Sequence, residues 1–203
     1  MEYIEVNKKE DVIIPFSHIG DPQWEVNTRL IIESLAYNWS KSSAVPCTKQ
    51  EIEELEKRLE TTLPLSLKQF YLVFGVAGIG EELIELKEIE YLEEIWAPDP
   101  QYGPNFTEED LAVLPYLITF SNYLGNGNMF CFHKDTKEIY YFDHDTRPYI
   151  TKFFLDFEDY LKCCLVLAQT DLFGDIDQKE VDHWTEDIVI DLIGKDIVNK
   201  WRY

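Results

Sequence analysis

Apolar residues recur at helical spacing in two neighbouring segments of the first half of the chain. Thr48 and Glu51 form a capping box, in which each side chain accepts a hydrogen bond from the backbone N–H of the other residue. An amphipathic stripe begins at Ile52 and predicts a helix. Pro64 suits the first turn of a second helix, and Gly75 suits its end. This pair of helices is the clearest structural prediction from the sequence.

Short apolar runs separated by polar turns predict β-strands in the middle of the chain. The runs cover residues 117–120, 129–132 and 139–142, and a weaker one covers residues 83–86. The polar residues 134–137 predict a tight turn that joins the last two strands into an antiparallel hairpin.

Both ends of the chain carry less regular patterns. Residues 12–14 predict a short strand, and residues 28–39 predict a helix. A helix that starts at Phe153 is predicted to continue to Ala168. From Lys179 one amphipathic helix is expected, with the core candidates Val181, Trp184, Ile188, Ile190, Leu192 and Ile193.

The charge balance restricts the possible partners. The 203 residues include 39 acidic and 18 basic side chains, which gives a net charge of −21 and a pI near 4.4. Nucleic acid is excluded as a simple electrostatic partner because phosphate binding needs clustered Lys and Arg. Adsorption to an anionic membrane is disfavoured for the same reason. A basic protein, a cation or plain solubility stay open as explanations.

Targeting and redox signals predict a cytoplasmic protein. The first residues lack a cationic start followed by an apolar core, and no apolar stretch is long enough to span a membrane. The four cysteines form no C-x-x-C pair, so neither a zinc site nor a disulfide framework is indicated. We expect reduced thiols and no cofactor.

One cluster permits an enzymatic interpretation. His133, Asp135, Asp143, His144 and Asp145 flank the predicted hairpin, and imidazole with carboxylate suits a divalent transition metal. A metal-dependent hydrolase is therefore an alternative hypothesis. The simpler interpretation is that the aspartates are turn residues, whose short side chains bond the backbone. Neighbouring residues on a strand also point to opposite faces.

The acidic surplus is concentrated in one short stretch. Its members are Glu81, Glu82, Glu85, Glu88, Glu90, Glu93 and Glu94, followed by Glu108, Glu109 and Asp110. A solvated face is the common cause of such a run. The alternative is a surface complementary to a basic partner, because opposite potentials accelerate association and add specificity.

The order of the motifs resembles the SUKH superfamily, which groups bacterial immunity proteins with fungal regulators of cell-wall synthesis. The resemblance covers residues 47–170. The motifs that carry it are Leu63-Pro64, Phe70-Tyr71-Leu72, Leu114-Pro115, Phe120-Ser121, Gly125-Asn126-Gly127-Asn128, Phe130-Cys131-Phe132, Tyr140-Tyr141-Phe142-Asp143-His144-Asp145 and Phe154-Leu155-Asp156-Phe157. They are short, and their succession distinguishes them.

The resemblance implies an α+β fold, in which helices pack against a mostly antiparallel sheet. It divides the chain into an N-terminal extension of the same domain (1–46), a SUKH-like core (47–170) and a C-terminal helical extension (171–203). It also implies a non-enzymatic protein that neutralises a cognate polymorphic toxin, with no catalytic or metal-binding residues. A regulatory scaffold is the third hypothesis.

The partner expected from the resemblance is a basic protein toxin that acts on nucleic acid. Direct binding of nucleic acid or of a membrane is not expected. The residues predicted to bind the toxin are Glu81, Glu82, Glu85, Glu93, Glu94, Asp143, His144 and Asp145.

Overall fold

The chain folds into helices and one antiparallel sheet in a computed structural model, which describes residues 3–42, 44–122 and 125–202. These residues form eight α-helices and five β-strands: α1 (Trp24–Asn38), α2 (Lys49–Arg58), α3 (Leu65–Phe74), β1 (Glu82–Leu83), α4 (Leu92–Trp96), α5 (Glu108–Val113), β2 (Leu117–Asn122), β3 (Met129–His133), β4 (Ile139–Phe142), β5 (Ile150–Phe154), α6 (Phe157–Ala168), α7 (Gln178–Ile193) and α8 (Lys195–Arg202). The predicted α+β class is confirmed.

The chain divides into two compact units. Pro46–Val76 and Glu81–Phe157 form the first, here called the sheet unit. Met1–Val45, Ala77–Gly80 and Glu158–Tyr203 form the second, here called the helical unit. The division of the sequence into a core and two extensions stays a prediction.

In the sheet unit the strands follow one another as a meander, with the order β1-β2-β3-β4-β5 and antiparallel pairing throughout. One face is covered by an apolar cluster that includes Leu92, Phe106 and Leu114. On the other face the Phe120 ring meets the edge of Phe157, which in turn meets Phe70 of α3. Because both faces are covered, β2 is buried along almost its whole length.

The helix pair α2 and α3 agrees with the sequence pattern. Thr48 and Glu51 make both hydrogen bonds of the capping box at the start of α2. Pro64 is the N-cap of α3, and Gly75 ends the helix with a φ of 63°. Glycine adopts this left-handed conformation without the steric cost that a Cβ brings.

A second capping box was missed in the sequence. Thr107 and Asp110 form it at the start of α5, where only an acidic run had been noted. Asp110 is fully buried; its Oδ2 accepts from the N–H and hydroxyl of Thr107, and its Oδ1 accepts from the N–H of Ile150 at 2.9 Å. Asp110 therefore ties α5 to the edge strand β5.

In the helical unit a glutamine takes the place of a predicted strand partner. Residues 12–14 are not a strand. Instead, the buried Gln169 side chain accepts from the N–H of Ile13 and donates to its carbonyl oxygen, both at 2.8 Å. Val6, in the same unit, instead makes a backbone bridge with Phe173, in which the N–H of Val6 donates to the carbonyl oxygen of Leu172.

Two further predictions about helices are corrected. Phe153 lies in β5, and α6 begins only at Phe157. The terminal helix is two helices, because Gly194 interrupts it with a φ of 90°. Leu192 is 42% exposed, whereas Val198 and Trp201 of α8 are buried. Of the other predicted core residues of α7, Val181 is buried, whereas Trp184, Ile188, Ile190 and Ile193 are half-buried.

We expect Asp110→Ala to destabilise the protein by about 3 kcal/mol, because it leaves the buried N–H of Ile150 without its acceptor. Denaturant unfolding at pH 7 measures this loss. Glu109→Ala is the matched control, since Glu109 is exposed on the same helix and should change stability by less than about 0.5 kcal/mol. Equal losses of stability in the two variants would contradict the proposed role of Asp110 in linking α5 to β5.

The α2 cap predicts a pH dependence. Hydrogen bonds from the backbone N–H and the hydroxyl of Thr48 lower the pKa of Glu51. A carboxyl with a depressed pKa in the folded state adds stability that is present above its unfolded pKa and lost as pH falls through its folded pKa. Glu51→Gln should therefore flatten the decline of the melting temperature below about pH 4.5. An unchanged decline would exclude Glu51 as a contributor.

Candidate functional site

The predicted partner-binding residues do not all share one location. Glu81 is only 7% exposed, so as an accessible surface residue it is a wrong prediction. Glu85 is exposed but lines a separate cleft beside α2. Four of the remaining six lie at one end of the sheet, namely Glu82, Asp143, His144 and Asp145. Glu93 and Glu94 lie on α4, whose last residue, Trp96, contacts His144 at that end. We call these six residues the loop-end surface.

Antiparallel pairing explains this convergence. Glu82 of β1 pairs with Asn122, the last residue of β2, and Met129, the first residue of β3, pairs with Phe142, the last of β4. The β2–β3 and β4–β5 connections therefore lie at the same end of the sheet as Glu82, the first residue of β1. Asp143, His144 and Asp145 follow directly after β4, so register places them at the same end of the sheet as Glu82, with β2 and β3 lying between β1 and β4.

Two glycines allow these segments to approach closely. A Cβ at Gly125 would lie 3.9 Å from Oε2 of Glu82. A Cβ at Gly127, where φ is 97°, would lie 3.4 Å from the His144 ring and 3.8 Å from the Trp96 ring. The β2–β3 connection thus contacts β1, the β4–β5 connection and α4.

The buried side chain of Asn128 holds the β4–β5 connection in place through His144. It is 6% exposed, and its Oδ1 accepts from the backbone N–H of His144 at 3.1 Å and contacts His144 Nδ1 at 2.6 Å. Its Nδ2 donates to the Tyr141 hydroxyl at 2.9 Å. The backbone N–H of Asn128 donates to Oδ1 of Asn126, which shapes the preceding turn.

Aromatic side chains connect α4 and the segment that follows it to His144 of the β4–β5 connection. The Trp96 ring stacks on the His144 ring with a centroid distance of 5.8 Å, and Tyr102 meets His144 edge-on at 5.6 Å. Glu93 and Glu94 are exposed on the five-residue helix that ends at Trp96. Sequence analysis missed Trp96 and Tyr102, because nothing in their local pattern indicates contact with a residue about fifty positions later.

The cleft that contains Glu85 has a volume of about 430 Å³. It lies beside α2 and is lined by Cys47, Glu51, Glu54, Leu55, Arg58, Glu85, Leu86 and Lys87. Burial, together with Glu51 and Glu85, raises the pKa of the Cys47 thiol. A raised pKa keeps the thiol protonated, and a protonated thiol is a weaker nucleophile than the thiolate.

The metal-hydrolase alternative is contradicted by the hairpin geometry. His133 and Asp135 lie at the β3–β4 turn, whereas Asp143, His144 and Asp145 lie at the opposite end of the hairpin. Four residue steps along β3 separate the two ends by roughly 13 Å. Within residues 3–42, 44–122 and 125–202, no three His, Cys, Asp or Glu side chains form a group that could hold a metal ion.

His133 has a structural part in its turn. Its Nδ1 accepts from the backbone N–H groups of Asp135 and Thr136 at 3.2 and 3.3 Å. The ring also stacks on Tyr116 at 5.2 Å. These contacts account for the His-x-Asp spacing that had suggested a metal ligand pair.

Comparison with known proteins identifies a family to which the chain is similar. The family model described as the SMI1 / KNR4 family (SUKH-1) matches residues 46–163, which is more than half of the chain. No curated protein and no solved structure matches. Among the described residues, no helix is long and apolar enough to cross a membrane.

Asn128→Ala should destabilise the protein by about 2 to 3 kcal/mol, because it removes three contacts from a buried position and leaves the N–H of His144 without its acceptor. Asn126→Ala, at an exposed position in the same loop, should cost about 1 kcal/mol or less. Urea unfolding of both variants measures the difference. Similar small losses would show that Asn128 does not hold the two connections together.

Proposed function

Because the chain belongs to the SMI1 / KNR4 (SUKH-1) family, we propose that it is a bacterial immunity protein, which binds and neutralises a cognate polymorphic toxin. The family is generally non-enzymatic. The proposed partner is a basic toxin, a nuclease or another protein that acts on nucleic acid, and the proposed compartment is the cytoplasm. Inhibition would then be stoichiometric and would involve no turnover.

The observation that carries the proposal is the gathering of acidic side chains on the loop-end surface. Asp145 has a side chain that is 77% exposed, and Glu82, Glu93 and Glu94 are also exposed. Exposed carboxylates keep most of their hydration, so they attract a partner without a large prior cost of burial. A toxin that binds nucleic acid needs a basic surface, which such a face complements.

The geometry also favours a preformed binding surface. The β2–β3 connection, the β4–β5 connection and α4 are joined through Asn128, Gly127 and Trp96, as described above. Ordering these segments before binding lowers the entropy cost of association. The net charge of −21 adds long-range attraction to a basic partner, which raises the association rate.

The first test is capture of the partner. The tagged protein is used as bait against its native lysate and against toxin domains encoded beside it, at low and at physiological salt. We expect one basic partner that is retained stoichiometrically, and inhibition of its activity in a direct assay. Retention of several unrelated proteins would favour the regulatory-scaffold hypothesis, and no retention at either salt would contradict both proposals.

Charge reversal then locates the interface. The double variants Glu82→Lys with Asp145→Lys, and Glu93→Lys with Glu94→Lys, should slow association with the captured toxin by about tenfold or more. The matched control is Glu53→Lys with Glu60→Lys, which changes the charge equally on exposed positions of α2 and its C-terminal end. Surface plasmon resonance at two salt concentrations measures the rates. Equal slowing by all three variants would indicate net charge alone and contradict the loop-end location.

A further inference from the structure

We propose that His144 is the positioning residue of the loop-end surface and that protonation of its ring weakens the binding of a basic partner. The partner in this statement rests on the proposed function. The positioning and the protonation rest only on contacts of the described residues, so they are testable without a partner.

The hydrogen bonds of Asn128 determine the tautomer of His144. Asn128 Oδ1 accepts from the backbone N–H of His144, so this atom is the amide oxygen rather than the nitrogen. The same oxygen lies 2.6 Å from His144 Nδ1. An oxygen that only accepts requires a proton on Nδ1, and Nδ1 is therefore the donor in the neutral ring.

Proton uptake must then occur at Nε2. This nitrogen lies 3.6 Å from Oδ1 of Asp145, whose carboxylate is exposed. Imidazole is the side chain whose charge most commonly changes between pH 5 and 8. A proton on Nε2 creates an ion pair with Asp145, and the surface loses one unit of negative charge without any loss of the Asn128 contact.

Charged groups around the ring come from three segments. The connection that carries His144 also holds Asp143, Asp145 and Arg147. The segment of Trp96 and Tyr102, which packs on the ring, carries Glu93, Glu94 and Asp99, and the β2–β3 connection that contacts the ring through Gly127 lies against Glu82. These three segments carry six carboxylates and one guanidinium, and Asp145 is the carboxylate that lies 3.6 Å from the ring. A cationic ring therefore opposes the charge that attracts a basic partner.

The ring is also a physical link between these segments. Asn128 Oδ1 contacts Nδ1 of the ring and also accepts from the backbone N–H of His144. Gly127 lies against the ring, and Trp96 and Tyr102 pack on it. The His144 side chain is only 16% exposed. Truncation of the ring removes the packing between the β4–β5 connection and α4, while every carboxylate of the surface is retained.

Three substitutions separate the position of the ring from its charge. In His144→Asn the side-chain nitrogen can replace Nδ1 as the donor to Asn128, but no group replaces Nε2. His144→Ala removes both the donor and the ring. Asp145→Asn keeps the ring and removes the carboxylate opposite Nε2. Comparison of the three with the wild type assigns each effect to one atom group.

The partner-free measurements are imidazole nitrogen NMR and hydrogen exchange of the full chain. NMR should show a proton on Nδ1 of the neutral His144 ring and the additional proton of the cationic ring on Nε2. Exchange in residues 125–128 and 143–149 should accelerate about tenfold or more in His144→Ala and stay near wild type in His144→Asn. A neutral ring protonated at Nε2, or unchanged exchange in His144→Ala, overturns the positioning proposal.

Binding of the captured toxin domain tests the consequence. The wild type should bind about two- to fivefold more weakly at pH 5.5 than at pH 8, the range expected for one exposed charge pair. His144→Asn should lose that share of the pH dependence and keep its affinity at pH 8, whereas His144→Ala should dissociate faster at both values. An unchanged pH dependence in His144→Asn overturns the protonation proposal. Failure to capture any toxin contradicts the proposed function, while the partner-free measurements still judge His144.

Discussion

Coverage of both faces of the sheet is the constraint on which the arrangement of charge depends. Helices and loops pack on one face of the meander through Leu92, Phe106 and Leu114, and aromatic rings fill the other. Ionised side chains placed in that interior would lose their hydration at a cost of several kcal/mol each. Apart from the buried Glu81 and the hydrogen-bonded Asp110, the acids of residues 47–170 therefore lie in the connections, on exposed helix faces and at the ends of strands. An acidic surface at the end of the sheet follows from this exclusion.

Buried polar side chains complete the backbone hydrogen bonds at three places where the regular pairing of strands and helices ends. Asp110 accepts from the N–H of Ile150 at the sheet edge, Gln169 pairs with both backbone groups of Ile13, and Asn128 accepts from the N–H of His144. Each of these side chains is buried. An unpaired backbone group in such a place costs free energy, so a polar side chain there stabilises one conformation of the connection. The same property that stabilises the fold thereby orders the candidate binding surface.

The sequence predicted what local spacing determines. The Thr48–Glu51 cap, the α2–α3 pair and the β3–β4 hairpin depend on residues a few positions apart, and the motif order led to the superfamily that the family match confirms. The missed and wrong predictions depend on distant partners. Residues 12–14 have the composition of a strand but find the side chain of Gln169 in place of a neighbouring strand. Propensity describes a segment alone and contains no information about what lies opposite.

The candidate surface likewise combines features that are visible in the local sequence with features that depend on distant residues. The sequence proposed acids around residues 81–94 and 143–145 as partner-binding candidates, but the acidic run cannot show that Glu81 is buried or that Glu85 lies in another cleft. Strand alternation and register decide these positions, and a shift of one residue would exchange Glu81 and Glu82. The joining of α4 to His144 depends on Trp96, which is 48 positions earlier in the chain.

Long-range charge and local geometry contribute differently to recognition. At physiological salt the interaction between exposed charges is screened beyond about 8 Å. Most of the side chains that make up the net charge of −21 therefore interact only weakly with a docked partner, although the net charge still accelerates its approach. Specificity requires carboxylates at fixed positions, because a mobile carboxylate loses rotational freedom on pairing and returns little net free energy. Among the acids of this chain, those beside the Asn128–His144 contact have connections anchored in the sheet. Geometry therefore distinguishes the loop-end surface from the other acidic parts of the chain, which charge alone does not.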